Sequence, residues 1–224
     1  MSDTVKQFSV RVLKDAPLME FLAERLKDYS RTQLKSLLSH RQLWLNGELM
    51  LTRHDHPLKA GDRVLLSGVV YTARDAAHKR LVELLANNKP LPIDVNGSAI
   101  YYVGPTPAKP GRAIGSAGPT SSYRMDPYSE KLMKEGLIVM VGKGPRSDEF
   151  KNALPKYGAV YLSAIGGAAA QIAESVKTCE VVAYEDLGAE AIHRLEVEDF
   201  YAIVTYDSHG DDLFEKGINE YQVK

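Results

Sequence analysis

A short segment at residues 114–126, IGSAGPTSSYRMD, combines small, hydroxylated and basic residues within one predicted loop. Its glycines allow backbone N–H groups to converge on an anion. Thr120 supplies a hydroxyl, and Arg124 lies one helical turn further on if SSYRM begins a helix. An ordinary connecting loop needs only a Gly or a Pro. The segment is therefore suited to holding a small anion against a reactive hydroxyl.

Two further basic residues occur where predicted strands end. Arg74 in YTARDAAHKR lies between a strand and a helix, and Lys143 in VGKG follows a strand between two glycines. An arginine can bind a carboxylate through two parallel hydrogen bonds. The alternatives are a salt bridge to a neighbouring acid for Arg74 and an exposed helix-entry turn for Lys143. Together with Thr120 and Arg124, the two cations are suited to a small polyanion such as a dicarboxylate.

Other cofactor sites have little support in the sequence. The motif AIGGAAA lacks the spacing of a dinucleotide-binding or Walker loop. The six histidines show no metal-binding spacing. Cys179 is the only cysteine, so this chain cannot form an internal disulfide or hold an iron–sulfur cluster alone. We therefore expect no metal or cofactor to be bound by this chain itself.

The composition is that of an ordinary globular protein, with 224 residues, 44% hydrophobic and 25% charged. A formal net charge of −1 argues against a protein that coats nucleic acid along its whole surface. No apolar stretch approaches the roughly 20 residues of a membrane span. The N-terminal MSDTVKQFSVRV lacks the apolar region of a signal peptide. We therefore expect a cytoplasmic protein that does not bind membranes.

Residues 1–60 are predicted to form a small α+β module, in which two helical patterns precede a hairpin turned at an Asn-Gly pair. The stretch SRTQLKSLLSHRQLWLNGE resembles the RNA-binding domain named after ribosomal protein S-four. That resemblance implies that Arg31, Lys35 and Arg41 contact RNA phosphates. The module carries ten Lys and Arg against seven Asp and Glu. This small excess leaves solvated surface charges, or a protein-docking module, as alternatives.

Residues 61–224 alternate between strand and helix patterns. The predicted strands are GDRVLLSGVVYTA, a pair within PIDVNGSAIYYVGP, LIVMVGKG, AVYLSAIGG, VVAYEDLG and FYAIVTYDSHG. The predicted helices are DAAHKRLVELLANN, SDEFKNALPKYG and AAAQIAESV. Continuous apolar runs separated by helices favour a parallel sheet covered on its faces. Because a partly antiparallel β segment precedes that sheet, we predict a layered α/β domain rather than a regular doubly wound one.

Four motifs resemble the β subunit of the iron–sulfur (class I) fumarate hydratases, and of the related L-tartrate dehydratases: ARDAAHKR, IGSAGPTSSYRMDPY, VGKG and YEDLGAEAIHRLEVEDF, in that order. The resemblance covers about residues 60–224 and implies a swivelling three-layer β/β/α fold. It also implies that Arg74, Arg124 and Lys143 bind the substrate. Thr120 would then be the catalytic base.

The same resemblance implies a partner. In that family, three cysteines of an α part hold a four-iron–four-sulfur cluster, and this chain lacks that part. We therefore expect a separate cluster-bearing α subunit, and we expect the pair to hydrate fumarate reversibly to malate. Tartrate dehydration is the alternative within the same chemistry. A different alternative is an RNA-binding or regulatory protein that reuses the fold, although the presence of all four site residues argues against it.

Overall fold

The computed structural model describes residues 27, 30, 44–45, 48–49 and 58–222. The backbone separates into two units, Met1–Pro57 and Leu58–Lys224. The sequence places the junction three residues later, near residue 60. Within the described residues, no helix combines the length and apolar character needed to cross a bilayer.

In the first unit, two short strands are described, β1 (Trp44–Leu45) and β2 (Glu48–Leu49). They pair antiparallel, with Trp44 opposite Leu49, on either side of the predicted Asn-Gly turn. The predicted RNA contacts Arg31, Lys35 and Arg41 lie outside the described residues, as do the predicted helices of this unit.

The second unit contains six strands and five α-helices among its described residues. The strands are β3 (Arg63–Thr72), β4 (Ala99–Tyr101), β5 (Val139–Gly142), β6 (Val160–Ser163), β7 (Val176–Ala183) and β8 (Ile192–Tyr206). The α-helices are α1 (Asp75–Ala86), α2 (Asp126–Lys134), α3 (Asp148–Tyr157), α4 (Ala169–Ser175) and α5 (Leu213–Tyr221). Three 3-10 helices span Ser122–Met125, Gly166–Ala168 and Glu185–Glu190.

The strands of the second unit close into a ring. Strands β3, β4, β5 and β6 are parallel neighbours in that order. The long strand β8 runs antiparallel to both β3 and β6, and it therefore joins the two edges of the parallel part. Strand β7 pairs with the first half of β8. The closed ring leaves no unpaired edge between β3 and β6.

Two hydrophobic cores lie on opposite faces of β4–β6. Ile100, Met140 and Tyr161 face the helices α1, α2 and α3 in one core. The next residue in each strand faces the other way, into a core shared with β3, β7 and β8. This alternation is the period of two expected of strands buried on both faces. Helices α1–α3, β4–β6 and the β3–β8–β7 strands thus form three layers, and the predicted α/β class is confirmed.

One predicted strand does not form. The sequence predicts a strand pair across residues 92–103, whereas only Ala99–Tyr101 is a strand. The preceding backbone satisfies its hydrogen bonds locally, because the Asn96 N–H donates to Asp94 Oδ1 at 3.0 Å. The Gly97 N–H donates instead to the Gly136 carbonyl, at 2.8 Å. The Asn-Gly turn is therefore present without the hairpin that such a turn usually joins.

Two strand boundaries also differ from the prediction. Strand β7 ends at Ala183, before the predicted VVAYEDLG strand is complete, because Tyr184 adopts a positive φ of 57° and a 3-10 helix follows. Strand β8 begins at Ile192, eight residues before the predicted FYAIVTYDSHG strand. Charged residues on its exposed face hide this extension in the sequence, although Leu195 and Val197 are buried at strand spacing.

Candidate active site

The carboxyl ends of the parallel strands provide the frame of the candidate site. Strands β3, β4, β5 and β6 end at Thr72, Tyr101, Gly142 and Ser163. Because these strands are parallel, their carboxyl ends lie together at one end of the ring, which is called the edge below. Open α/β sheets usually bind ligands at this edge. Arg74 follows β3 and Lys143 follows β5 directly, as the sequence predicts.

Thr120 is held at this edge by its backbone. Its N–H donates to the Tyr102 carbonyl at 2.7 Å, and the Tyr102 N–H donates to the Val141 carbonyl at 2.8 Å. The next residue, Ser121, forms a parallel bridge with Lys143. Thr120, which is half-buried, thus lies between the ends of β4 and β5 and beside Lys143.

Ser122 locks the loop against β5, and the sequence did not single it out. Its buried hydroxyl accepts from the Lys143 N–H at 2.9 Å and from the Tyr161 hydroxyl at 2.9 Å. Its own N–H donates to the Lys143 carbonyl at 3.0 Å. A Cβ at Gly142 would collide with this hydroxyl, so the glycine allows the loop to approach the strand closely.

Arg74 precedes helix α1 and is enclosed by other segments. Its Nη2 lies 3.1 Å from Glu190 Oε1, and the two side chains are 24% and 26% exposed. Its Nε is buried without a hydrogen-bond partner among the described residues. The ion pair considered as the alternative for Arg74 is therefore present, and one buried guanidinium N–H has no acceptor among the described residues.

Arg124 lies in the 3-10 helix Ser122–Met125, which begins two residues after Thr120. A helix therefore does begin within SSYRM, but Thr120 precedes it, so residues 120 and 124 do not share a helical face. Arg124 is exposed, and its Nη1 lies 3.7 Å from Oδ1 of Asp75, the first residue of α1. This ion pair places Arg124 beside Asp75, the residue that follows Arg74.

Lys143 is exposed and forms no ion pair with any described residue. Its positive charge is therefore not neutralised by a carboxylate of the described chain. The backbone bridge between Ser121 and Lys143 places Lys143 beside Thr120. The 3-10 helix that follows Ser121 carries Arg124. The structure thus brings all four residues singled out in the sequence to one edge.

His78 lies beneath this edge, and the sequence gave no reason to single it out. It is completely buried in α1, and its Nδ1 is 2.9 Å from the Arg74 carbonyl oxygen. Its ring packs edge-to-face on Tyr102, with centroids 5.2 Å apart. Burial is the main reason that its pKa falls to about 4, so the ring is neutral at pH 7. His78 thus contacts both Tyr102, whose carbonyl holds the Thr120 backbone, and the backbone of Arg74.

The candidate site is partly exposed. Arg124 and Lys143 are exposed and Thr120 is half-buried, whereas the Arg74 side chain is only 24% exposed. A cavity of about 350 Å³ lies elsewhere among the described residues, and its lining includes Cys179, His193 and residues 105–108.

The described residues contain no group of three or more His, Cys, Asp or Glu side chains that could hold a metal ion. Cys179 is half-buried in strand β7, where burial raises the pKa of its thiol. Because this is the only cysteine in the sequence, the chain does not fit a cluster that needs three thiolates.

Residues 18–217 match the model of a protein family described as Fumarase C-terminus. The anaerobic class I fumarate hydratase of Escherichia coli is 40% identical over 175 residues, which are 77% of this chain and 32% of that protein. A putative L(+)-tartrate dehydratase subunit beta of Methanocaldococcus jannaschii is 43% identical over 173 residues, which are 74% of this chain and 89% of that protein. The aligned region spans about a third of the length of the fumarate hydratases that it matches.

Proposed function

The chain belongs to the Fumarase C-terminus family, and from this premise we propose that it is the β subunit of an iron–sulfur hydro-lyase. In this proposal it works with an α subunit to hydrate fumarate reversibly to malate. The observation that carries the proposal is the convergence of Arg74, Arg124, Lys143 and Thr120 on one edge of the sheet. A dicarboxylate needs two cationic partners, and the edge offers three.

The three cations bind and orient the substrate in this proposal. The partly exposed Arg74 side chain supports a role in binding one carboxylate, because an arginine can donate two parallel hydrogen bonds to it. Lys143, which lacks a counter-ion among the described residues, supplies net positive charge next to Thr120. Negative charge develops on the carboxylate next to the reacting carbon, and fixed cations stabilise it.

Thr120 holds or moves the proton at the reacting carbon. Dehydration of malate removes a proton from the carbon next to one carboxylate and hydroxide from the adjacent carbon, and hydration of fumarate adds both back. A threonine hydroxyl is a weak base in water, so it needs partial burial and neighbouring positive charge to serve. Thr120 is half-buried and lies beside Lys143, and its backbone is fixed by Tyr102. These conditions support the assignment of the base.

A separate α subunit holds the four-iron–four-sulfur cluster in this proposal. The single cysteine of this chain does not fit the cluster. The M. jannaschii relative, of which the match covers 89%, is named as a subunit beta, whereas the fumarate hydratases are longer chains. The exposure of Arg124 and Lys143 supports the same conclusion, since a dicarboxylate bound there needs a second surface to exclude water.

The test is co-expression of this chain with a candidate α subunit, purification without oxygen, and an assay of fumarate hydration and of L-tartrate dehydration. We expect activity with fumarate in the complex and none with either chain alone. The Thr120→Ala variant should lower kcat by about 10²–10⁴-fold, the range for loss of a general base. Arg124→Lys, which keeps the charge but not the planar fork, should mainly raise KM.

Lys156→Ala is the matched control, because Lys156 pairs with Glu130 on the surface and lies outside the candidate site. Its kinetic constants should equal those of the parent complex. Full activity of Thr120→Ala would remove the assigned base. Activity with tartrate but not fumarate would keep the hydro-lyase and change its substrate, and a failure of the two chains to associate would contradict the proposal.

A further inference from the structure

The segment Tyr184–Ala191 is joined by one ion pair to helix α1 and by another to Arg74, the residue before it. Asp186 accepts from both terminal nitrogens of Arg80, at 2.8 and 2.6 Å. The Arg80 guanidinium also lies over the Tyr184 ring, 5.1 Å from its centroid. The second ion pair joins Glu190 to Arg74 at 3.1 Å. Because a two-point Arg–carboxylate contact has a defined geometry, this segment is fixed relative to α1.

The same segment forms part of the enclosure around the Arg74 guanidinium. A Cβ added at Gly104 would lie 2.9 Å from Arg74 Nη1 and 2.9 Å from the Ala189 carbonyl oxygen. The guanidinium therefore packs against the Gly104 backbone on one side. On another side it meets the Glu190 carboxylate, and its side chain is only 24% exposed. Two segments that are distant in sequence thus restrict the conformation of the Arg74 side chain.

We propose that Glu190 is a positioning residue that holds Arg74 ready to bind a substrate carboxylate. The inference rests on the proposed function, in which Arg74 binds that carboxylate. A free arginine loses its rotamer freedom when a ligand binds, and an arginine that is already ordered does not. The gain in affinity from such preorganisation is about twofold to tenfold. The orienting contact therefore determines how tightly the dicarboxylate binds.

The negative charge of Glu190, considered alone, predicts weaker rather than tighter binding of the dicarboxylate. The Glu190 carboxylate is negative and close to the bound dianion, so its repulsion would weaken binding by a small factor in a partly exposed pair. Two conservative variants separate these effects. Glu190→Asp keeps the charge but is one methylene too short to reach Arg74. Glu190→Gln keeps the length and an acceptor oxygen but loses the charge.

The experiment is a fumarate titration of the full-length chain, followed by the backbone amide signals of residues 120 and 143 in NMR spectra. We expect Glu190→Asp to weaken binding about fivefold, and Glu190→Gln to remain within about twofold of the parent chain. In an Arg74→Ala background, Glu190→Asp should have no further effect. Glu130→Asp, which shortens a surface acid paired with Lys156, is the matched control and should bind normally.

The kinetic readout in the complex is a rise in KM for Glu190→Asp with kcat unchanged, which a general loss of stability would not produce. Tighter binding by Glu190→Gln with parental binding by Glu190→Asp would show that Glu190 acts by charge, and would overturn the inference while Arg74 keeps its role. An effect of Glu190→Asp that persists in the Arg74→Ala background would overturn it as well. A parent chain that binds no fumarate, in an inactive complex, would overturn the proposed function and the inference together.

Discussion

At the scale of single residues, His78 couples the stability of the second unit to pH. Burial lowers its pKa to about 4 in the folded chain, against 6.5 when it is exposed. Between these values the unfolded chain binds a proton that the folded chain does not. The free energy of unfolding therefore keeps its full value above pH 6.5. It falls by about 3 kcal/mol as the pH falls towards 4.

Urea unfolding at a series of pH values from 7.5 to 4.5 measures this term. The free energy of unfolding should fall more steeply for the parent chain than for His78→Gln, because carboxylate titration is common to both. His209→Gln, at an exposed position, is the control and should keep the parental slope. Since His78→Gln changes a buried site, an NMR titration of the His78 ring in the parent chain gives a second measurement. A ring that titrates near 6.5 would contradict the prediction.

Gly104 is a second residue whose identity the site requires. An alanine Cβ there would meet the Ala189 carbonyl oxygen and Arg74 Nη1, each at 2.9 Å. The carbonyl belongs to the backbone and cannot move cheaply, so Gly104→Ala should cost about 1–3 kcal/mol of stability. It should also weaken fumarate binding by displacing Arg74. Gly217→Ala, where a Cβ meets nothing within 4 Å, is the matched control and should be neutral or stabilising.

At this scale the sequence reveals residues with unusual chemistry and misses their partners. Arg74, Thr120 and Lys143 each lie beside a glycine, a proline or a strand end, and Arg124 follows Thr120 by four residues. Ser122, His78 and Glu190 were missed, because a serine, a histidine and a glutamate within ordinary patterns carry no local signal. Their contacts join segments up to 116 residues apart, as between Arg74 and Glu190. Only the folded chain brings them together.

At the scale of elements, a buried ion pair fixes the turn that follows β5. Arg146 Nε lies 2.5 Å from Asp126 Oδ1, and the Ser147 N–H donates to Asp126 Oδ2 at 2.8 Å. The Arg146 side chain is completely buried and lies over the Phe150 ring, 3.4 Å from its centroid. Asp126 begins α2 and Ser147 caps α3, so one carboxylate joins two helices and the turn after Lys143.

Removal of Asp126 should therefore be costly. Asp126→Ala leaves the Arg146 charge buried without its acid, and such a change costs about 3–5 kcal/mol in the free energy of unfolding. Chemical denaturation measures the loss. Glu130→Ala removes the acid of an exposed pair, with Lys156 62% and Glu130 53% exposed, and should cost less than about 1 kcal/mol. Equal losses in the two variants would show that burial does not decide the cost of the broken pair.

The sequence predicts elements well where one signal dominates. Apolar runs mark β5 and β6, and a Ser147 cap with a following Gly158 bounds α3. It predicts poorly where a tertiary contact decides. The Asn96-Gly97 turn lacks its hairpin because Gly97 bonds to Gly136 instead. Likewise, β8 extends further than its apolar run because β3 and β7 both pair with its charged half.

At the scale of the whole molecule, ring closure explains how the site is kept rigid while it stays partly exposed. Strand β8 holds β3 and β6 together, so the four strand ends keep their spacing without help from a ligand. Arg124 and Lys143 are exposed at the carboxyl end of this ring. Under the proposed function, a rigid site with exposed cations is one that a second subunit can complete without rearranging the first.

The same architecture predicts that the second unit folds without the first. Among the described residues, both hydrophobic cores consist entirely of residues from Leu58 onward, and the ring uses strands of the second unit only. A fragment of residues 58–224 should therefore unfold cooperatively, and it should bind fumarate as the full chain does. Circular dichroism during thermal unfolding, together with the fumarate titration, measures both properties.

The fragment also separates the two activities that the sequence suggests. If the first unit binds RNA through Arg31, Lys35 and Arg41, then the fragment should lose RNA binding and keep fumarate binding. Full-length Arg31→Ala/Lys35→Ala should show the same separation without any truncation. Equal RNA binding by fragment and full chain would place that activity in the second unit and contradict the assignment to residues 1–60. A fragment that fails to fold would contradict the independence of the second unit. A folded fragment that binds fumarate would show that the residues of the ring are sufficient for substrate binding.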